Sequence, residues 1–276
     1  MIDETRLVAI DKAENSKLKV EIMAYTTLAG SDDIDVAAKI FLLNEARVRS
    51  KMVKFTLKEH TTIKIEPGAL YFMKGNLELE SKIQGGLAKG LFRKFTSGET
   101  LFQSTITGTG EVYLEPSFGY YLLLALNGEK FICDKGAYVA SSGDVQVNAE
   151  AQKNVSSALA GGEGFFQTAL QSDSEEALVV LKSPAPMEEL MTVELEKNEK
   201  LTVDGNFALA RTSQIQFRAE KSGGSFLQTF TSGELLLQTF TGPGIVFIAP
   251  TEPVYDFVGS IVEQSKINGQ RNQSSN

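Results

Sequence analysis

GEGFFQT at Gly162–Thr168 has two counterparts in the chain, GETLFQS at Gly98–Ser104 and GELLLQT at Gly233–Thr239. Each reads Gly-Glu, a variable position, two apolar residues, Gln, then Ser or Thr. The copies recur at a period of roughly 70 residues, which is the mark of a duplicated structural unit. A second match lies upstream of each copy. It is IKIEPGALYFMKGNLEL from Ile63, FICDKGAYVASSGDVQV from Phe131, and LTVDGNFALARTSQIQF from Leu201. A proline closing an apolar run is the third marker, at Pro116, Pro184 and Pro250. Three markers sharing one period place β repeats at about 48–118, 119–186 and 187–255. Residues 1–47 stand outside them as an N-terminal addition, and 256–276 form a C-terminal extension. That extension ends in the polar SKINGQRNQSSN, which reads as a disordered tail.

Inside the repeats the periodicity is that of strands. Ile63–Ile65, Leu77–Leu79, Val145–Val147 and Ile215–Phe217 alternate apolar and polar, as half-buried strands do. Val112–Leu114 and Ile245–Ile248 are short apolar runs suited to strands covered on both faces. Thr107–Gly110 (TGTG) and Thr241–Gly244 (TGPG) read as hairpin turns, and Ser172–Ala177 replaces them by a longer loop. Pro67-Gly68 and Lys135-Gly136 are further turn signals. After Ser31, Asp32 and Asp33, the spacing of Ile34, Ala37, Phe41 and Leu42 fits a helix with an N-cap, while Lys39–Leu43 also fits a strand. Val155–Ala160 fits a short helical turn. The fold expected is all-β. Three sandwich-like repeats, of double-stranded β-helix or jelly-roll-like form, gather around a pseudo-threefold axis and cover one another's strand edges.

Composition narrows the functions. The 276 residues carry 27 Lys+Arg against 35 Asp+Glu, a net charge of −8, which opposes general affinity for nucleic acid. One cysteine and one histidine exclude a disulfide framework and a Cys/His zinc cluster. The longest strongly apolar run, Tyr120–Leu126, falls far short of the roughly 20 residues a membrane-spanning helix needs. With no export signal in the first residues, a cytoplasmic setting is expected.

Few residues invite chemistry. Cys133 aligns with Ile65 and Val203, so it is expected to fill a core slot rather than act as a nucleophile. His60 aligns with Gly128 and Asn198, both turn formers, which places it at an exposed hairpin tip. Two carboxylate sets recur: Glu66, Asp134 and Asp204, and Glu99, Glu163 and Glu234. The second set is followed by Gln103, Gln167 and Gln238. Brought together at an axis, Glu99, Glu163, Glu234 and the three glutamines would form a ligand-binding ring; kept apart, the carboxylates cap turns. The Gly-rich stretches at Gly85-Gly86, Gly161–Gly164 and Gly223-Gly224 lack the Lys-Ser/Thr of a phosphate loop. Lys89, Arg93 and Lys94 make a small basic patch absent from the other repeats.

The GGEGFFQT stretch, the paired DKGAYVASS and DGNFALARTS segments and the TGPGIVFIAP ending resemble the altered-inheritance-of-mitochondria family, over about residues 33–258. The resemblance implies a three-repeat body of double-stranded β-helix type, similar to the subunit of the tryptophan RNA-binding attenuation protein. It brings no catalytic residues to carry over, and its mitochondrial members are associated with inner-membrane organisation. The function expected is that of a non-catalytic structural or interaction scaffold, self-assembling as a homo-oligomer or holding a protein partner, with no cofactor, metal or nucleic acid. Two other readings stay open. One is a small-ligand module with an apolar pocket lined by Phe92–Phe102. The other is a hydrolase working with carboxylates alone.

Overall fold

The computed structural model describes residues 6–81, 103–134, 136–152, 166–204, 208–220, 237–251 and 254. Among these the chain is almost all β. The N-terminal part gives β1 (Leu7–Glu14), β2 (Leu18–Tyr25) and the single helix α1 (Ile34–Glu45). Three long strands follow, β3 (Lys51–Ile65), β4 (Leu70–Ser81) and β5 (Ser104–Leu114). The next stretch is cut into shorter pieces: β6 (Tyr120–Ala125), β7 (Phe131–Cys133), β8 (Tyr138–Ser142), β9 (Gln146–Ala151), β10 (Phe166–Gln171) and β11 (Leu178–Ser183). The last comprises β12 (Met191–Leu195), β13 (Lys200–Asp204), β14 (Ala208–Thr212), β15 (Gln216–Glu220), β16 (Leu237–Thr241) and β17 (Gly244–Ile248).

One pairing scheme runs through all three stretches. β5 lies between β3 and β4; β11 lies between β6 and β8, and β10 between β7 and β9; β17 lies between β12 and β14, and β16 between β13 and β15. The stretches are then stitched by antiparallel pairs of equal register. β3 meets β8 with Ile63 opposite Ser142, Lys64 opposite Ser141 and Ile65 opposite Ala140. β7 meets β14 with the aligned residues, Phe131 opposite Thr212, Ile132 opposite Arg211 and Cys133 opposite Ala210. The flanking bonds also correspond. Gly143 N–H donates to the Thr62 carbonyl and Ser213 N–H to that of Lys130; Glu66 N–H donates to Val139 and Asp134 N–H to Leu209. Skipped residues in the ladders fall at aligned places too: Tyr71, Val139 and Leu209 each bulge out of register.

Burial follows the strand period. Val53, Phe55 and Leu57 face inward, and so do Ile63 and Ile65 beyond an interruption. There Leu57 lies opposite Gly110 and Thr61 opposite Gly108, so Lys58, Glu59 and His60 together face Thr109. Two extra residues, rather than one, leave the inward face unflipped. The buried apolar side chains form three clusters, around Phe55 and Ile106, around Leu170 and Leu181, and around Phe217 and Phe240.

Both expected hairpins are corrected. Thr107–Gly110 is not a hairpin but the middle of the continuous β5. Gly108 and Gly110 have φ of 141° and 153°, and a Cβ there would run into the carbonyls of Asn76 and Lys74 on β4. The glycines answer a close backbone approach between two long strands, not chain reversal. The counterpart Thr241–Gly244 is not a hairpin either: it is a bend with a cis Gly242–Pro243 bond that passes the chain from β16 in the three-stranded sheet to β17 in the six-stranded one, and Ser172–Ala177 is the loop between β10 and β11.

The N-terminal addition extends the sheet. β2 pairs with Lys51–Leu57 of β3, and β1 covers β2. In α1 the helix reading prevails over the strand: Asp33 caps it, its side chain accepting from the Asp35 and Val36 N–H groups. No residue of α1 is buried. Val155–Ala160 and the C-terminal tail lie outside the described residues.

Candidate functional site

The glutamines singled out in the sequence do not share one role. Gln167 on β10 is buried. Its side-chain oxygen accepts from Arg211 Nη1 at 2.8 Å, and its Nε2 donates to Asp134 Oδ1 at 3.0 Å. Arg211 Nη2 donates to Gln152 Oε1 at 3.1 Å, and the guanidinium lies 4.6 Å from the Phe217 ring centre. Arg211 Nε has no hydrogen-bond partner. The group is only 3% exposed, and burial pulls its pKa down to about 10, against the charges of Glu150 and Asp134. It therefore stays charged at neutral pH. This network pins β7, β10 and β14 together where the second and third stretches meet. Gln238 is buried on β16 in the three-stranded sheet, between Val203 and Ala219. Gln103 precedes β5, with its Nε2 buried and without a hydrogen-bond partner. Glu99, Glu163 and Glu234 lie outside the described residues. So do the Gly-rich stretches, the Lys89–Lys94 patch and Phe92–Phe102.

The first carboxylate set sits at strand junctions. Glu66 pairs with Lys182 Nζ at 3.0 Å on the surface, and Asp134 joins the Arg211 network. Asp204 ends β13. Cys133 is buried in the core as expected, and burial first, then the Asp134 charge, pushes the pKa of its thiol up. His60 is exposed, but on the β3 bulge rather than a hairpin tip, because β3 runs on through it. Its φ is 56°, and its aligned partners Gly128 and Asn198 have 76° and 67°.

Described residues line open grooves on the surface. One, of about 620 Å³, is lined by Asn15, Ser16, Glu59, His60, Asp144 and Glu176 among others. Its carboxylates are already bonded: Ser16 Oγ donates to Glu176 at 2.7 Å, and Ser172 Oγ, from outside the groove, to Asp144 at 2.8 Å. Another, of about 640 Å³, runs past Glu66, Ser117, Tyr121 and Lys182, where the Ser117 and Tyr121 hydroxyls lie 2.9 Å apart. Beside it, buried Lys51 donates to the Arg49 and Phe118 carbonyls and stands 4.2 Å from the Tyr120 ring centre. Burial, then the Arg49 charge, lowers its pKa. Among the described residues no three His, Cys, Asp or Glu side chains converge as metal ligands. No described helix is long and apolar enough to cross a membrane.

Sequence reading missed Arg211, although a signal was present. It is the one charged residue in the apolar run ALART, at a place where the aligned segment has Ser141.

Fold and sites together define an all-β protein whose stitched sheets enclose polar junctions. A family model described as mitochondrial biogenesis AIM24 matches residues 45–251, and the chain belongs to that family. Among solved structures it is similar to protein SPYM3_0169 from Streptococcus pyogenes, with a TM-score of 0.58 and 20% identity over 78% of this chain and 94% of that one. At such identity the likeness speaks for the fold. No curated protein matches the chain.

Proposed function

We propose that this protein is a non-catalytic interaction protein, working in the cytoplasm without a cofactor. The observation that carries this reading is the solvent-facing apolar stripe of α1. Ile34 is 85% exposed, Phe41 62% and Leu42 64%, and at their spacing they share one helix face. A soluble chain that leaves such a face bare has a partner for it. The polar groups at the second junction support the same reading, since Arg211, Gln167 and Asp134 are tied into one hydrogen-bonded network. We infer further that the chain is three copies of one β unit set in series. The equal registers of β3–β8 and β7–β14 and the three apolar clusters favour this.

The test is native mass spectrometry of the protein purified from its own host, beside a Phe41→Asp/Leu42→Asp variant. A stoichiometric protein partner on the parent, lost from the variant, is expected. A partner held equally by both removes the role of α1. A reproducible small non-protein mass moves the reading to a ligand-binding module.

A further inference from the structure

The groove of about 640 Å³ between the first and second β stretches holds a hydrogen-bond donor that the chain itself does not use. Ser117 Oγ and the Tyr121 hydroxyl lie 2.9 Å apart and share one hydrogen bond. Ser117 Oγ also accepts from the Gly119 N–H at 3.2 Å. Two hydroxyl protons thus serve one bond. Whichever way that bond points, the other proton has no acceptor among the described residues. Tyr121 is 8% exposed and lines the groove, so the missing acceptor enters through it.

The rest of the lining decides what fits. The backbone N–H groups of Glu66, Ala69, Glu115, Ser117, Gly119 and Lys182 already donate within the chain. An added strand needs donors along its length and finds none at these residues. Tyr120 supplies an aromatic wall, steadied by Lys51 Nζ at 4.2 Å from its ring centre. Leu114 and Val139 supply a buried apolar floor, and Pro67 and Pro116 are exposed beside it. Glu66 is neutralised by Lys182 at 3.0 Å, whereas the exposed Glu115 is in no ion pair among the described residues.

We propose that this groove binds a proline-rich segment of a partner protein, in the polyproline conformation, with a basic residue beside the prolines. Proline has no N–H, so such a segment offers carbonyl acceptors, the complement of a groove whose spare group is a donor. Its rings pack on the aromatic and apolar lining, and its preformed helix loses little entropy on docking. The basic residue pairs with Glu115. The inference rests on the interaction reading and adds a second surface to it, one that includes no residue of α1.

Fluorescence anisotropy with the full chain tests it. The probes are the labelled peptides RPLPPLPPLP and PLPPLPPLPR, which carry the basic residue at either end. Saturable binding is expected for at least one, with loss of binding when its prolines become alanines. Ser117→Ala and Tyr121→Phe each leave one hydroxyl proton, so each is expected to bind within about twofold of the parent. The double variant Ser117→Ala/Tyr121→Phe leaves none and is expected to bind about fivefold more weakly. Glu115→Gln is expected to lose about threefold against the arginine peptide and nothing against the same peptide with alanine for arginine. Thermal melts establish that the variants fold, and Glu115→Gln, on the surface, tests the groove even where the double variant does not. No saturable binding by the parent overturns the proposal. So does equal binding of the alanine peptide, which marks a groove for any extended chain. So does binding that neither the double variant nor Glu115→Gln weakens, which places the peptide elsewhere. A failed peptide test with a protein partner still held through α1 removes the groove alone. Peptide binding with no partner lost from the Phe41→Asp/Leu42→Asp variant removes the α1 reading alone.

Discussion

The two internal junctions share a backbone and differ in what fills them. At β3–β8 the middle pair is Lys64 and Ser141. Ser141 Oγ lies 3.0 Å from the Tyr138 hydroxyl, that hydroxyl donates to the Lys64 carbonyl, and Lys64 Nζ donates to the Val145 carbonyl at 2.6 Å. At β7–β14 the middle pair is Ile132 and Arg211, and the polar group is a buried cation held by amides. Register is therefore a property of the backbone and its bulges. The side chains fill the junctions differently, with one small hydroxyl in the first and a guanidinium whose Nε stays unpaired in the second.

The sharpest way to break this comparison is to empty each junction. Arg211→Ala takes the donor from the Gln167 and Gln152 side-chain oxygens and opens a gap beside Phe217, so a loss of about 3–4 kcal/mol is expected. Ser141→Ala removes one hydroxyl and is expected to cost about 1 kcal/mol. Urea unfolding of both variants reads the difference. Equal losses would mean that the guanidinium is no more than a filler.

A second contrast separates glycines that reverse the chain from glycines that let strands touch. Gly68 sits in a turn at φ 84° with open space where a Cβ would stand. Gly68→Ala is expected to cost about 1 kcal/mol, the strain of the left-handed region alone. Gly108→Ala adds a clash with the Asn76 carbonyl and is expected to cost about 2–3 kcal/mol. Thermal melts rank the two, and the reverse order would contradict the close approach of β4 and β5.

That contrast also explains what the sequence disclosed and what it hid. Apolar alternation announced the strands, and Asp33 announced a helix start, because both depend on neighbours in the chain. TGTG and TGPG look alike as text, yet one runs on as strand and the other bends the chain from one sheet into another. The choice depends on whether the opposite strand runs on, as β3 does through His60. Aligning the repeats put His60 with Gly128 and Asn198, both turn formers, and all three have left-handed backbone, while the hairpin tip expected for His60 was wrong for the same reason. The pairing of β2 with β3, and the meeting of Gln167 with Arg211, are contacts between residues far apart in sequence. No local period encodes them.

His60 sharpens the comparison among the aligned turns. At φ 56° an imidazole side chain is strained where Gly128 and Asn198 are at ease. His60→Gly is expected to raise stability by about 1 kcal/mol, measured as a higher melting temperature. A gain marks His60 as retained against the preference of the fold and directs attention to the groove it lines. A loss would mean that the ring holds the bulge in place.

The smallest expected effect distinguishes two ion pairs of one length. Lys54 Nζ lies 2.6 Å from Glu111, and Lys58 Nζ 2.6 Å from Glu14. The first is shielded, with Lys54 also 5.4 Å from the Tyr113 ring centre; the second stands in solvent. The hydrogen bond from Lys54 holds the Glu111 carboxyl below its usual 4.5, against the effect of burial. Burial pulls Lys54 down, but the bonds to Glu111 and Tyr113 outweigh it and leave its pKa raised. A carboxyl lowered on folding stabilises the protein at pH above 4.5, and that contribution is lost as pH falls through the folded value. Glu111→Gln is therefore expected to cost about 0.5 kcal/mol at pH 7, with the gap to the parent closing as the pH drops below 4.5. Urea midpoints taken across pH 3–7 test this. Glu14→Gln, whose partner is half in water, should follow the parent throughout. A gap at Glu111 that persisted in acid would assign the loss to packing against Tyr113 rather than to charge.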